Sequence, residues 1–295
     1  MSLIPRVLRL PITEALIFHN ILCQRRCELL RDQHSTEFEF RLGRLLFHRQ
    51  RAQPGDIHFV TEALVRRDLR LDDDMMRAIA NGEEPILPEA SAPDRAHHFD
   101  DNIGRQAFDR LMQALRAAEK QPDTEILEIK ELVFEQDLYE FKIGDRRIGN
   151  YRVRRDRDTQ KVLEDSCKIQ FDVSDLHYPA PYAYDVRFAI AKEFDVADDV
   201  KEKLKAKNQT IKRSLRRRTS FRTKNFIIDL TKAEQLDEER LSTGDVTYHA
   251  ELEVLHETFL FIPSDQTFAG VVDGLVANAQ GLLQCASGLI DLYPS

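Results

Sequence analysis

The stretch TEFEFRLGRL, residues 36–45, read together with YHAELEV, residues 248–254, decides the fold. Strand side chains at i and i+2 share a face. Glu37, Glu39 and Arg41 therefore line one side of the first stretch, with Phe38, Phe40 and Leu42 on the other. Glu251 and Glu253 repeat the device opposite Tyr248, Ala250, Leu252 and Val254. Two strands from opposite ends of the chain, each acidic on one side and apolar on the other, predict a closed barrel with a polar inside and a packed outside.

The segments between them extend the pattern. Strands are predicted at 124–135, 137–144, 147–156, 161–173, 182–193, 211–222, 224–233 and 245–258, spaced closely enough for an antiparallel meander. Arg152, Arg154 and Asp156 share a face, as do Glu164, Ser166, Lys168, Gln170 and Asp172. Residues 211–224 put Lys212, Arg216, Arg218, Arg222 and Lys224 in one row with Ser214 and Ser220, and IIDLT sets Asp229 and Thr231 opposite Ile228 and Leu230. One such strand alone is explained by a solvated sheet face. The whole set, with its Glu-x-Glu and Arg-x-Arg pairs, is better explained by a barrel of about eight strands, whose interior holds side chains and one small ligand.

The class is thus α+β: a closed antiparallel eight-stranded barrel with helices packed outside. Helices are predicted at Pro11–Asp32, Ile103–Glu119 and Asp265–Leu292, and 195–209 is a charged bridge that a helix or a loop would satisfy. Residues 1–295 read as a single domain with an irregular insertion at about 50–95, where Pro54-Gly55 and EEPILPEASAPD interrupt any regular pattern. His19, Cys23 and Cys27 lie four apart on the first helix, a spacing that ordinary packing explains without zinc.

Composition narrows the function. With 43 basic against 51 acidic residues and net charge −8, the chain is no general polyanion sleeve. A polyanion must be met by a local cationic patch or a metal. The four cysteines show no C-x-x-C spacing, no apolar run is long enough to span a membrane, and MSLIPRVLRLP is broken by proline and arginine. A nuclear or cytoplasmic protein is expected. No P-loop, dinucleotide fingerprint or nucleophile elbow is present. Carboxylates enclosed in pairs would have raised pKa values unless a cation neutralised them. Oxygen-only ligands favour Mg²⁺ or Mn²⁺, and arginines across the cavity suit a phosphate.

On these residues the chain resembles the metal-dependent RNA 5'-triphosphatases of fungi and protozoa, triphosphate tunnel metalloenzymes that act in the first step of mRNA capping. The resemblance lies, in order, in TEFEFRLGRL, HHFDDNIGRQAFDRLMQAL at 97–115, the run 151–193, RRRTSFRTKNFIIDLTKAE at 216–234 and YHAELEV. It implies metal binding by Glu37, Glu39, Glu251 and Glu253. It implies phosphate binding by Arg187, Arg216 and Arg218, with Arg41 beside the first acidic pair, and a supporting role for Asp229 and Thr231. His249 stands where the fungal pattern Glu-x-Glu-x-Glu has its first acid. The segment 194–210 matches poorly, and for the glutamate that orients the attacking water only Glu193 stands near it.

The resemblance further implies a 5'-triphosphate RNA end as substrate, nucleoside triphosphates as a second one, Mg²⁺ or Mn²⁺ as cofactor, mRNA guanylyltransferase as functional partner and a nuclear location. Two other readings fit the same residues. One is a small-molecule triphosphatase of the CYTH group, whose Glu-x-Glu-x-Lys opening is close to Glu37-x-Glu39-x-Arg41. The other is a non-catalytic polyphosphate-binding module.

Overall fold

The structure, a computed structural model, describes residues 36–47, 63–68, 78, 81, 97–143, 146–176, 178, 181–207, 212–255, 258 and 265–289. The predicted first helix, His19, Cys23 and Cys27 lie outside them. Ten strands are described: β1 (Thr36–Phe47), β2 (Ala63–Asp68), β3 (His97–Asp100), β4 (Glu128–Ile143), β5 (Arg146–Asp156), β6 (Val162–Leu176), β7 (Asp185–Phe194), β8 (Lys212–Arg222), β9 (Phe226–Leu236) and β10 (Ser242–Val254). Three helices accompany them, α1 (Gly104–Glu119), α2 (Asp198–Lys207) and α3 (Asp265–Ala286).

Eight strands form a closed antiparallel ring in the order β10-β9-β8-β4-β5-β6-β7-β1, and β1 pairing with β10 closes it. The strands from the two ends of the chain thus lie side by side, Glu39 opposite Glu253 and Arg41 opposite Glu251. β2 adds to β6, inside the region predicted as irregular, and β3 adds to the end of β1.

The outward faces carry the core. Phe38, Phe40, Leu42, Val186, Ile190, Ile228, Leu230, Ala250 and Leu252 are buried with Leu111 and Leu115 of α1 and Leu275, Leu282 and Leu283 of α3. Helix α1 has its apolar residues on one stripe, Ala107, Leu111, Ala114, Leu115 and Ala118, and that stripe is the buried one. Gly274 lets α3 sit close: a Cβ there would meet the Phe226 ring at 3.1 Å. The barrel is therefore inverted relative to an ordinary small barrel, with its apolar side outside under helices and its charges inside.

Two details differ from the sequence reading. The segments predicted as separate strands at 124–135 and 137–144 are one strand, β4. No glycine or proline separates them, and Asp137 stays in the ladder because Arg213 of β8 hydrogen-bonds its side chain at 2.7 Å. In β6, a bulge between Gln170 and Asp172 ends the even-numbered inward run, so beyond it Asp175 faces Arg187 of β7.

Candidate active site inside the barrel

The acidic residues of β1 and β10 converge with cations from β5, β6 and β8. Lys168 of β6 donates to Glu37 at 2.5 Å and to Glu39 at 2.8 Å, and Gln170 donates to the other oxygen of Glu39 at 2.8 Å. Arg41 reaches Glu39 at 3.0 Å, Glu251 at 3.2 Å and Asp101 at 3.5 Å. Glu193 of β7 is held by Arg152 and by the Ser166 hydroxyl, and it also takes a hydrogen bond from Glu37.

The carboxyls divide by their company. Burial and the Glu193 carboxylate outweigh Lys168 and push Glu37 up to about 7. Burial, with repulsion from Glu37, pushes Glu253 up to about 8. Burial would raise Glu39 too, but Arg41 and Lys168 hold it near 2. Desolvation likewise opposes ionisation of Glu251 and Glu193, yet their arginine neighbours hold both well below the usual carboxylate range. Among the five glutamates, Glu37 and Glu253 are thus the two with too little positive charge around them.

On the opposite wall, Arg218 donates to the Thr231 hydroxyl at 3.2 Å and pairs with Asp229 at 2.7 Å, while Ser220 donates to the same Asp229 at 2.6 Å. Arg154 pairs with Glu164 at 2.5 Å, and the guanidinium groups of Arg154 and Arg218 lie 5.4 and 5.9 Å from the Phe134 ring. Arg216 differs from both. Its contact is the Ser214 hydroxyl at 3.3 Å, and it has no carboxylate within ion-pairing distance among the described residues. Burial, then Arg218 and Arg154, lower its pKa to about 10. A half-buried guanidinium beside two others is a seat for an oxyanion.

Glu37, Glu39, Glu251, Glu253, Arg41, Asp229, Thr231, Arg216 and Arg218 thus share one enclosed space, as their parity and contacts place them. Arg187 is inward-facing but elsewhere engaged: Asp175 takes its Nε and Nη2 at 2.6 and 2.8 Å, and Phe99 stacks on it at 4.6 Å. His249 bonds Thr247 at 2.8 Å and lies 3.4 Å from Asp101.

Lys168, Arg152, Arg154, Gln170 and Asp101 were not assigned roles from the sequence. The first four belong to inward faces that the period-two pattern does mark. Asp101 sits in a turn, where no such signal exists.

An oxygen-only set of four glutamates, two of them short of positive charge, fits a hard divalent cation. Among the described residues no three such side chains form a preformed cage, since Lys168 and Arg41 stand between them.

The protein family described as mRNA capping enzyme, beta chain, matches residues 15–267. No curated protein matches. The S. pombe Pct1 RNA triphosphatase has a similar solved structure, at 17% identity, TM-score 0.62, 95% of this chain and 98% of that one. The same S. pombe protein in complex with the Spt5 CTD gives TM-score 0.63 at 17% identity, over 94% of this chain and 95% of that one. At that identity the likeness speaks for the fold.

Proposed function

The chain belongs to the mRNA triphosphatase family, the beta chain of the mRNA capping enzyme, and from that premise we propose how its barrel removes the γ-phosphate of 5'-triphosphate-ended RNA. The observation that carries the reading is the enclosure of Arg216, half-buried with no carboxylate in ion-pairing distance among the described residues, with four inward glutamates. A triphosphate supplies the negative charge that Arg216 lacks. Arg218 and Arg154, stacked toward Phe134, complete that wall and neutralise charge developing on the transferred phosphoryl oxygens. Arg187 offers the remaining edge of its guanidinium beyond Asp175.

Glu37, Glu39, Glu251 and Glu253 would hold Mg²⁺ or Mn²⁺, which supplies Lewis-acid polarisation of a phosphate oxygen when bound. Lys168 and Arg41 balance the carboxylates before then. Glu193 is the residue best supported as the one that orients the attacking water. Arg152 and Ser166 fix its position, and they and Glu37 hold it ionised, so it accepts a hydrogen bond at a set place. Asp229 and Thr231 hold Arg218 in its rotamer.

A nuclear location upstream of mRNA guanylyltransferase, with nucleoside triphosphates as a second substrate class, goes with that proposal. Among the described residues no helix is long and apolar enough to cross a membrane. The test is release of γ-phosphate from triphosphate-ended RNA with Mg²⁺ or Mn²⁺ and with chelator, beside Glu251→Gln. Release that needs both the metal and Glu251 supports the proposal. Release that persists in chelator, or in the variant at near wild-type rate, overturns the assigned roles, and a folded wild-type protein inert toward RNA in every condition overturns the substrate.

A further inference from the structure

The turn between β3 and α1 is stitched to the barrel wall. Asn102 Oδ1 accepts from the backbone N–H groups of Tyr248 at 3.0 Å and Gly104 at 3.1 Å. The Ile103 N–H donates to the Tyr248 carbonyl at 2.9 Å, and the Ile103 carbonyl accepts from the Tyr184 hydroxyl at 2.7 Å. Gly104, at φ +73°, lets the chain turn out of this seat into α1. These bonds fix the backbone that carries Asp101.

Asp101 divides its two oxygens. Oδ1 lies 3.4 Å from His249 Nδ1, and Oδ2 lies 3.5 Å from Arg41 Nη1. Arg41 is divided in turn: Nη2 is 3.0 Å from Glu39 and 3.2 Å from Glu251. One end of the guanidinium therefore sits on two carboxylates read as cation holders, and the other on a carboxylate outside that set. Desolvation opposes ionisation of Asp101, but the His249 bond and charge, with Arg41 and Lys212, hold it well below the usual carboxylate range.

A divalent cation taken up by Glu39 and Glu251 would repel a guanidinium on the same oxygens. A guanidinium cannot lose its proton to escape, and one displaced without a partner inside the barrel would be a buried unpaired charge. We propose that Asp101 is a positioning residue for cation binding: it holds Arg41 by Nη1, so that Nη2 can leave Glu39 and Glu251 to a divalent cation without stranding the guanidinium. The proposal rests on the reading of Glu37, Glu39, Glu251 and Glu253 as the cation site. Asp101 touches neither cation nor substrate in this scheme. It acts through Arg41.

The test is direct Mn²⁺ binding, followed by the loss of the free-ion paramagnetic resonance signal, to the wild-type chain, Asp101→Asn, Arg41→Gln and the double variant, with melting curves in chelator to establish that each is folded. Asp101→Asn should weaken Mn²⁺ binding about threefold to tenfold, the scale of one partly exposed charge pair. Asp101→Ser, which leaves no amide to pair with His249, should do the same. In the Arg41→Gln background the Asp101 substitution should change nothing further. Unchanged Mn²⁺ binding in both folded Asp101 variants overturns the proposal while the cation reading stands. An equal loss with and without Arg41 also overturns it, because the effect is then the field of Asp101 alone. A wild-type chain that binds no Mn²⁺ overturns the cation reading and this proposal with it.

Discussion

Replacing Glu253 by Gln in the metal-free protein should make it more stable at alkaline pH. Burial raises the Glu253 carboxyl, repulsion from Glu37 and Glu39 adds to this, and Lys168 offsets only part, so the group keeps its proton to about pH 8. In the unfolded chain it loses that proton near 4.5. Between those values the folded state binds the extra proton, so stability falls as pH rises through the window. Glu37, raised to about 7, adds to the fall over the lower part of it. At about 1.36 kcal/mol per pH unit, Glu253 over about two units and Glu37 over about one should together cost ~4 kcal/mol between pH 6 and 8.5, which lowers Tm by ~6 °C in a chain of this size. The assay is thermal melting in chelator across that range, for the wild type and Glu253→Gln. The variant should lose at least half of the slope and melt above the wild type at pH 8.5, and added Mn²⁺ should flatten the wild-type curve. A wild-type Tm that holds or rises between pH 6 and 8.5 in chelator, or a variant with the wild-type slope, would refute the argument that these carboxyls are short of positive charge.

Arg216→Met should reduce γ-phosphate release by about 10²- to 10³-fold while Tm holds or rises, because the substitution removes a half-buried, partly desolvated cation that has no carboxylate in ion-pairing distance among the described residues; turnover beside melting curves checks both halves. Glu193→Gln should lower kcat by about 10²-fold or more with KM little changed, since an amide cannot act as a full acceptor for the attacking water; steady-state kinetics with a triphosphate-ended oligonucleotide separates the two. Gly43→Ala should cost about 1–3 kcal/mol in denaturant unfolding, because its Cβ would meet the Asp100 carbonyl oxygen at 2.4 Å and the Phe99 ring at 2.5 Å.

The strand faces were legible because each has the same simple cause. A residue two positions along points the same way, and one side of every strand must be apolar to bury the helices that cover the barrel. That made Glu37, Glu39, Glu251, Glu253, Arg216 and Arg218 readable as a set. Pairing of the first strand with the last was legible for a related reason, since two acidic faces from opposite chain ends are reconciled by closure. What escaped depends on geometry that no single strand carries. Lys168 was on a recognised face, but its position between Glu37 and Glu39 follows from how far each strand is staggered around the ring. Asp175 reaches Arg187 only because a bulge shifts β6 by one residue, and bulges leave no mark in alternation. Asp101 comes from a turn whose place is set by backbone hydrogen bonds to Tyr248.

The interior is not what stabilises this fold. Arg216 is half-buried with no carboxylate in ion-pairing distance among the described residues, Glu37 and Glu253 are raised by burial, and desolvation pulls against the ionised form of Glu39, Glu251, Lys168 and Arg152 as well. Breaking such a network from one side is costly, yet the network as a whole gives little net stability. The offset comes from the outside, where Phe40, Leu42, Ile169, Ile228, Leu230 and Leu252 are completely or almost completely buried together with Leu111, Leu115 and Leu282 of the helices. A barrel with its core on the outer surface can keep a charged interior that it could not otherwise hold. Dipoles and charges fixed in advance are what phosphoryl transfer requires, because groups that need not reorganise during the reaction act on the transition state at full strength. The inverted packing and the proposed chemistry are therefore one design seen from two sides. Apolar residues on the outer positions hold the strands in register, and that register aims the charged positions at a single enclosed point.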